Sequence, residues 1–483
     1  MYSETQQYVD MSYIVRVTLV LSLIALLAMY TETMVLPAMR KLMIEFHVTE
    51  ADIAWILTAY LLSGVAATPL MGKLSDLYGR KKILLLVLAM YALGLTLCSF
   101  SKNFTSFVIS RALQGIGMAM FPVAFSIVRE QLPARYIPIA QGMISAMFGI
   151  GSIIGLIVGA HVLQYFGWRT LFRSAAILAW GLILVEHLTV REVPREFRGG
   201  KIDYVGLFLL SAGTALLCFA FERASYLGWT STPVIMSIAT GIICYIAFMF
   251  WELAETEPFV DLRRLAEINV MVSNLAGIVA GFGMFLFFQV FILYLEIPKP
   301  AGFGLSIVQV GYYMTGPSIA MLITSAIVGR LITKIGVRRS LIMSAAYLLG
   351  ACLLFLAVNI HSLFQVIAAF TIVMSAIGSL LVSLINLLVL SVTREEVGLM
   401  TAINMVWRYV GGSLGTALGG YLQSTITTAI VELIAGHIFA MTAPAPDVVR
   451  ISMAIVAALA VLILLICLKA REVYPGLESS TQF

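Results

Sequence analysis

Long apolar stretches dominate the chain, each set off by charged or turn-forming residues. A helix needs roughly 20 mostly apolar residues to cross a bilayer core. Fourteen such windows can be read, at about 14–36, 53–72, 83–101, 105–128, 138–162, 171–190, 205–222, 232–252, 269–295, 305–328, 340–358, 362–391, 399–425 and 450–468. The runs are continuous, whereas barrel strands alternate polar and apolar residues over about ten positions, so a porin-like barrel is excluded. Lipid offers the backbone no hydrogen-bond partners, so the spans must be helical. The pattern predicts an all-α polytopic membrane protein.

Composition agrees: of 483 residues 61% are hydrophobic and 11% charged, far less charge than a soluble domain carries. With the N-terminus inside, cytoplasmic segments hold 20 of the 30 lysines and arginines and external segments eight. That bias satisfies the positive-inside rule and an even number of spans, with both termini cytoplasmic in a cell (inner or plasma) membrane. The net charge of +5 is then a consequence of topology, and no basic, aromatic-interleaved loop points to nucleic acid. Cys98, Cys218, Cys244, Cys352 and Cys467 lie in or at the ends of apolar spans with no CxxC pair, which suits core packing. The first apolar run carries Glu32 and lacks a small-residue cleavage site, so it reads as a span and not a removable signal.

Two loops echo one another. Gly72 to Lys82 joins spans 2 and 3, Gly329 to Arg339 joins spans 10 and 11, and both place glycines seven apart before paired basic residues. They occupy the same point in two six-span halves if spans 7 and 8 are an insertion, an arrangement that fits transporters built from repeated bundles. The expected organisation is a six-helix bundle over 1–195, two linking helices over 196–262, a second six-helix bundle over 263–470 and a cytoplasmic tail over 471–483.

The loop Gly72-Lys-Leu-Ser-Asp-Leu-Tyr-Gly-Arg-Lys-Lys82 resembles the signature of the major facilitator superfamily, G-x-L-x-D-x-x-G-R-[KR]-[KR]. Gly72 and Gly79 suit a tight turn. Asp76, beside a helix C-terminus, meets the negative end of the helix dipole and needs a cation or another helix's N-terminus, which the start of span 13 near Leu399 could supply. The resemblance implies a latch built on Asp76 with Arg80 and Arg129. The bland alternative is a positive topology anchor.

Arg111-Ala-Leu-Gln114-Gly-Ile-Gly117 resembles the superfamily's second motif, R-x-x-Q-G-x-G. A mid-span arginine usually faces a cavity or an anion, the alternative here being a snorkelling surface residue. Span 1 carries Tyr30-Thr-Glu32-Thr-Met-Val-Leu-Pro37, where the drug:proton antiporter branch usually has an aspartate. Glu32 is either a proton site paired with Arg111 or an interfacial structural acid. Depth along the two helices predicts that Glu32 and Arg111 share a level, within ion-pair or water-bridged reach.

Gly151, Gly155 and Gly159 share one helix face and should let another helix approach. Their segment resembles the antiporter motif G-x-x-x-G-P-x-x-G-G, with Leu156 for its proline and Ala160 for its last glycine. Asn404-Met-Val-Trp-Arg408 followed by Gly411 and Gly415 resembles the fourteen-span drug:proton antiporter branch. Tyr30, Gln114, Gln289, Asn386, Asn404 and Arg408 are the candidate cavity residues, although single amides on apolar helices also serve as interhelical glue. No P-loop, zinc-ligand spacing or catalytic triad is visible, so neither an enzyme nor ATP-driven transport is expected. The resemblance implies two bundles rocking around a cavity. The expected function is a monomeric, proton-coupled exporter of drugs or other hydrophobic or cationic small molecules, with no cofactor and no metal. A metabolite or siderophore carrier and a non-transporting membrane sensor are the alternatives.

Overall fold

The computed structural model describes residues 10–193, 203–434 and 437–473. The expected boundary at 195/196, Arg195, Arg198, Lys201 and most of the tail lie outside the described residues. Almost everything described is helix. In chain order the long helices are α1 (Met11–Thr33), α2 (Trp55–Tyr78), α3 (Arg80–Phe100) and α4 (Phe104–Gln131). Next, one run from Ile137 to Thr189 is broken at Gly167, whose φ of 80° divides it into α5 over 137–166 and α6 over 168–189. There follow α7 (Tyr204–Leu227), α8 (Thr232–Ala254), α9 (Ile268–Glu296), α10 (Ile307–Ile335) and α11 (Val337–Ala357). The last three are α12 (Leu363–Ser391), α13 (Val397–Thr425) and α14 (Asp447–Cys467). Among the described residues, twelve segments are long and apolar enough to cross a membrane; the run holding α5 and α6 counts as one, and α13 is not among the twelve.

Two features depart from the sequence reading. A two-stranded antiparallel hairpin, β1 (Thr427–Ile434) with β2 (His437–Pro444), joins α13 to α14 where only a loop was expected. After α1 the chain turns at Pro37 into a short helix, Met39–Phe46, instead of entering a plain loop. The loops after α2 and α10 turn on Gly79 (φ 106°) and Gly336 (φ 89°), a left-handed region that favours glycine. These two turns mark one end of the molecule, the loop end; the hairpin follows the other end of α13.

Hydrophobicity does not drive helices together in lipid, so close packing and interhelical hydrogen bonds must. The glycine faces do this work. A β-carbon at Gly151 would fall 2.6 Å from the Leu26 carbonyl oxygen of α1, and one at Gly159 would fall 2.9 Å from Cα of Met34. On the other side, Gly411 and Gly415 of α13 lie against the backbone of α9 at Ile278 and Phe282. One apolar core is built chiefly on α1–α6 and takes in the first half of α13, and a second chiefly on α9–α12 and α14. The outward surface is greasy, with Phe364 82%, Leu188 75%, Phe250 72% and Ile177 72% exposed, as a lipid-facing belt requires.

Across the molecule α2 packs on α13 and α5 on α10. Gly72 is not a turn residue as expected. It lies inside α2, where a β-carbon would fall 2.6 Å from the Gly398 carbonyl and 2.7 Å from Cβ of Ala402. Gly329, its echo, lies inside α10 and meets the Pro138 carbonyl of α5 at a corresponding 2.6 Å. The pair α7 and α8 sits to one side. Ser211 of α7 donates to the Ala66 carbonyl of α2 (2.8 Å), while α8 packs on α7 through Tyr245 and Thr214, whose hydroxyls lie 2.7 Å apart.

Candidate functional site

At the loop end, Asp76 occupies the last turn of α2 and not a position beyond the helix. Its Oδ1 accepts from the Gly398 N–H (3.1 Å) and its Oδ2 from the Leu399 N–H (2.8 Å), two amides that the first turn of α13 leaves without helical partners. A carboxylate at a helix N-terminus is favoured by the dipole and by these donors together. Arg80 is 1% exposed and stands 3.5 Å from Asp76 Oδ1; it donates to the Ser126 carbonyl (2.9 Å) and to the Arg394 carbonyl. The sequence reading named Arg129 as the further partner. Glu130 approaches Arg80 at 3.3 Å, and Arg129, the residue before it, is half-buried. One polar knot thus ties α2, α3 and α4 to the start of α13.

Arg111 lies inside α4 with no solvent exposure. Its Nε donates to the Ile56 carbonyl (3.2 Å), its Nη1 to Gln114 Oε1 (2.7 Å), and the guanidinium sits 4.5 Å from the Tyr60 ring centroid. Gln114 in turn donates to Thr31 Oγ1 (3.3 Å), and the Thr31 and Tyr91 hydroxyls bond to each other. Glu32 follows Thr31 in the last turn of α1, and its Oε2 is shielded with no hydrogen-bond partner. Glu32 and Arg111 lie within electrostatic reach but, among the described residues, form no ion pair within 4.0 Å. The sequence reading placed the two within ion-pair or water-bridged reach; the structure gives electrostatic reach, while Arg111 bonds Gln114, which bonds Thr31, the chain neighbour of Glu32.

Between the cores a small pocket is lined by α4, α5, α12 and α13, with a cavity volume of about 10 Å³. Asn404 and Arg408 of α13 line it with Ser145, Phe148 and Thr401. Asn404 Nδ2 donates to the Ser273 carbonyl (3.1 Å) and to Asn274 Oδ1 (2.9 Å), holding α13 to α9. Arg408 sits 5.5 Å from the Phe148 ring centroid. No residue of α7 or α8 lines this pocket.

Other candidates stand apart from it. Tyr30 is buried on α1 and does not line the pocket. Asn386 donates to the Val382 carbonyl of its own helix (2.8 Å), and Gln289 is half-buried on α9 with Oε1 unpartnered. Sequence reasoning missed Tyr60, Thr31 and Tyr91, because hydroxyls on an apolar helix carry no signal until the facing helix is known. It also missed Glu222 of α7, which accepts from Thr58 of α2 at 2.6 Å.

A sequence profile of the Major Facilitator Superfamily matches residues 21–297 and 273–482. The chain is 27% identical to the multidrug transporter protein MdtP of Bacillus subtilis, across 81% of this chain and 72% of that one. It is 30% identical to multidrug resistance protein 3 of the same organism, across 62% of this chain and 58% of that one. In fold it is similar to the human organic anion transporter MFSD10 (TM-score 0.66, 17% identity, 94% of this chain and 99% of that one), a likeness that speaks to architecture alone. With the latch loop, the two cores and the pocket between them, these matches establish that the chain belongs to the Major Facilitator Superfamily and is a multi-pass membrane transporter, not an enzyme.

Proposed function

We propose that the protein is a proton-coupled exporter of small hydrophobic molecules that works by alternating access. In this reading the loop end is cytoplasmic, as are both termini, and the protein acts as a monomer in the cell membrane. Fourteen helices cross, as two six-helix bundles (α1–α6 and α9–α14) with α7 and α8 inserted between them. Support for the insertion comes from the pocket, which α7 and α8 do not line.

The observation that carries the reading is Glu32, an intramembrane acid with a shielded, unpartnered oxygen, within electrostatic reach of the buried Arg111. Such a group is costly unless it exchanges a proton or a partner during the cycle. In this reading the Asp76 knot closes the loop end, and the pocket is too small for an organic molecule. Loading therefore requires the bundles to separate. Drug-like breadth is supported by the names of the two Bacillus relatives.

The test is efflux from pump-deficient cells loaded with a panel of fluorescent compounds, with and without a proton uncoupler. Export of several compounds that the uncoupler abolishes supports the reading. Export that ignores the uncoupler removes proton coupling, and export of one metabolite alone would favour a dedicated carrier.

A further inference from the structure

The two intramembrane arginines are provided for very differently. Arg111 has a carbonyl, an amide oxygen, an aromatic face and the Glu32 charge within reach. Arg408 has the face of Phe148 and, as the titratable group in electrostatic reach, its chain neighbour Tyr409. Among the described residues its guanidinium makes no hydrogen bond and no ion pair, and the pocket it lines contains no carboxylate. A guanidinium at this depth is costly unless it faces an anion.

The surroundings say what kind of anion. Phe148 is stacked on Phe121 with ring centroids 4.4 Å apart and planes 25° from parallel, so the pocket has a flat aromatic wall beside the cation. On α5, Ser145 lines the pocket; one turn away Gln141 is fully buried with both amide atoms unpartnered. A guanidinium fork takes a carboxylate through two parallel bonds, and its plane also stacks on rings. An aromatic wall takes a planar ring. A cationic ligand would instead meet an unscreened like charge in a low-dielectric site.

We propose that Arg408 and Phe148, backed by Phe121 and the buried amide of Gln141, form a recognition site for planar aromatic anions such as ring carboxylates. This names the substrate class of the pocket and rests on the reading of that pocket as the substrate site. It replaces the cationic substrates expected from sequence.

Purified protein in lipid nanodiscs would be titrated with three ligands on one ring: anthracene-9-carboxylate, its neutral carboxamide and the cationic 9-(aminomethyl)anthracene. The carboxylate should bind at least about tenfold tighter than the carboxamide, the order expected for one charge-assisted hydrogen-bonded contact, and the amine weakest. Arg408→Gln should erase the preference, while Arg408→Lys, which keeps the charge, should retain part of it and guards against loss through misfolding. Carboxylate and carboxamide binding within twofold of each other, tightest binding of the amine, no binding of any of the three, or an unchanged preference in Arg408→Gln would each overturn the proposal. Equilibrium binding needs no coupling, so a protein that binds the carboxylate but shows no uncoupler-sensitive export would sink the exporter reading and leave this one standing.

Discussion

Replacing Asp76 by Asn keeps the shape of the side chain and removes its charge, so it isolates the electrostatic part of the proposed latch at the loop end. The carboxylate accepts two amide N–H groups at the start of α13, at 3.1 and 2.8 Å. Charge-assisted bonds contribute about 1.5–3 kcal/mol against about 1 kcal/mol for neutral ones, and a partly buried charge at a helix end contributes up to about 2 kcal/mol. These figures describe the same charge and do not add. The side chain is 5% exposed, so solvent screening is small. A loss of about 2 kcal/mol follows, which shifts the closed-to-open ratio of the loop end about thirtyfold. Folding should survive, because Arg80 keeps Glu130 at 3.3 Å and the Ser126 carbonyl at 2.9 Å. The assay is a distance distribution between spin labels at Lys82→Cys and Glu395→Cys, on α3 and just before α13, both solvent-exposed, with turnover measured alongside. Asp76→Asn should populate a longer distance and slow transport. An unchanged distribution with unchanged turnover would refute the latch.

Three further outcomes are expected. In Gly398→Val the added β-carbon would fall 2.5 Å from Ser75 Oγ and 2.7 Å from Asp76 Oδ1, so the same label pair should move apart; an unmoved pair would contradict the tight α2–α13 seam. Glu45 accepts from Trp168 and Arg169 at 2.5 Å each; burial pushes its pKa up, but those bonds and the Arg169 charge outweigh it and hold the group below 4.5. Its contribution to stability is thus present above about pH 4.5 and lost as pH falls through the lower folded value, so Glu45→Gln should flatten the acid limb of a melting-temperature series, and superimposable curves would count against the tie. Thr58→Val removes the 2.6 Å donor to Glu222 and should cost about 1–3 kcal/mol of thermal stability in detergent, with Thr58→Ser close to wild type; equal melting of all three would show that α7 is not held there.

The helices were legible because lipid forces continuous apolar runs, and the break between spans 5 and 6 fell where Gly167 interrupts one long run. The need of Asp76 for a helix N-terminus was legible too, since a carboxylate near a helix C-terminus requires compensation from elsewhere, and the donors are those of Gly398 and Leu399. What sequence could not supply was helix phase. Gly72 looks like half of a turn motif, but rotation within α2 points it at Gly398. Nothing in the sequence marks Glu130, and only the facing of α4 on α3 brings it to Arg80. Depth suggested that Glu32 and Arg111 come near each other, but that Gln114 joins Arg111 to Thr31 depends on how α1 and α4 face. The hairpin Thr427–Pro444 was missed because short apolar runs read equally as strand or helix end.

Proton coupling through Glu32 is the claim on which the proposed function stands, and proteoliposomes test it most directly. Purified protein is reconstituted with a pH gradient imposed across the membrane, and accumulation of a transported fluorescent compound is followed for wild type and Glu32→Gln. The wild type should accumulate the compound against its gradient only while the pH gradient lasts, and Glu32→Gln should equilibrate it without accumulation. A Glu32→Gln protein that still drives accumulation from the pH gradient would contradict the account.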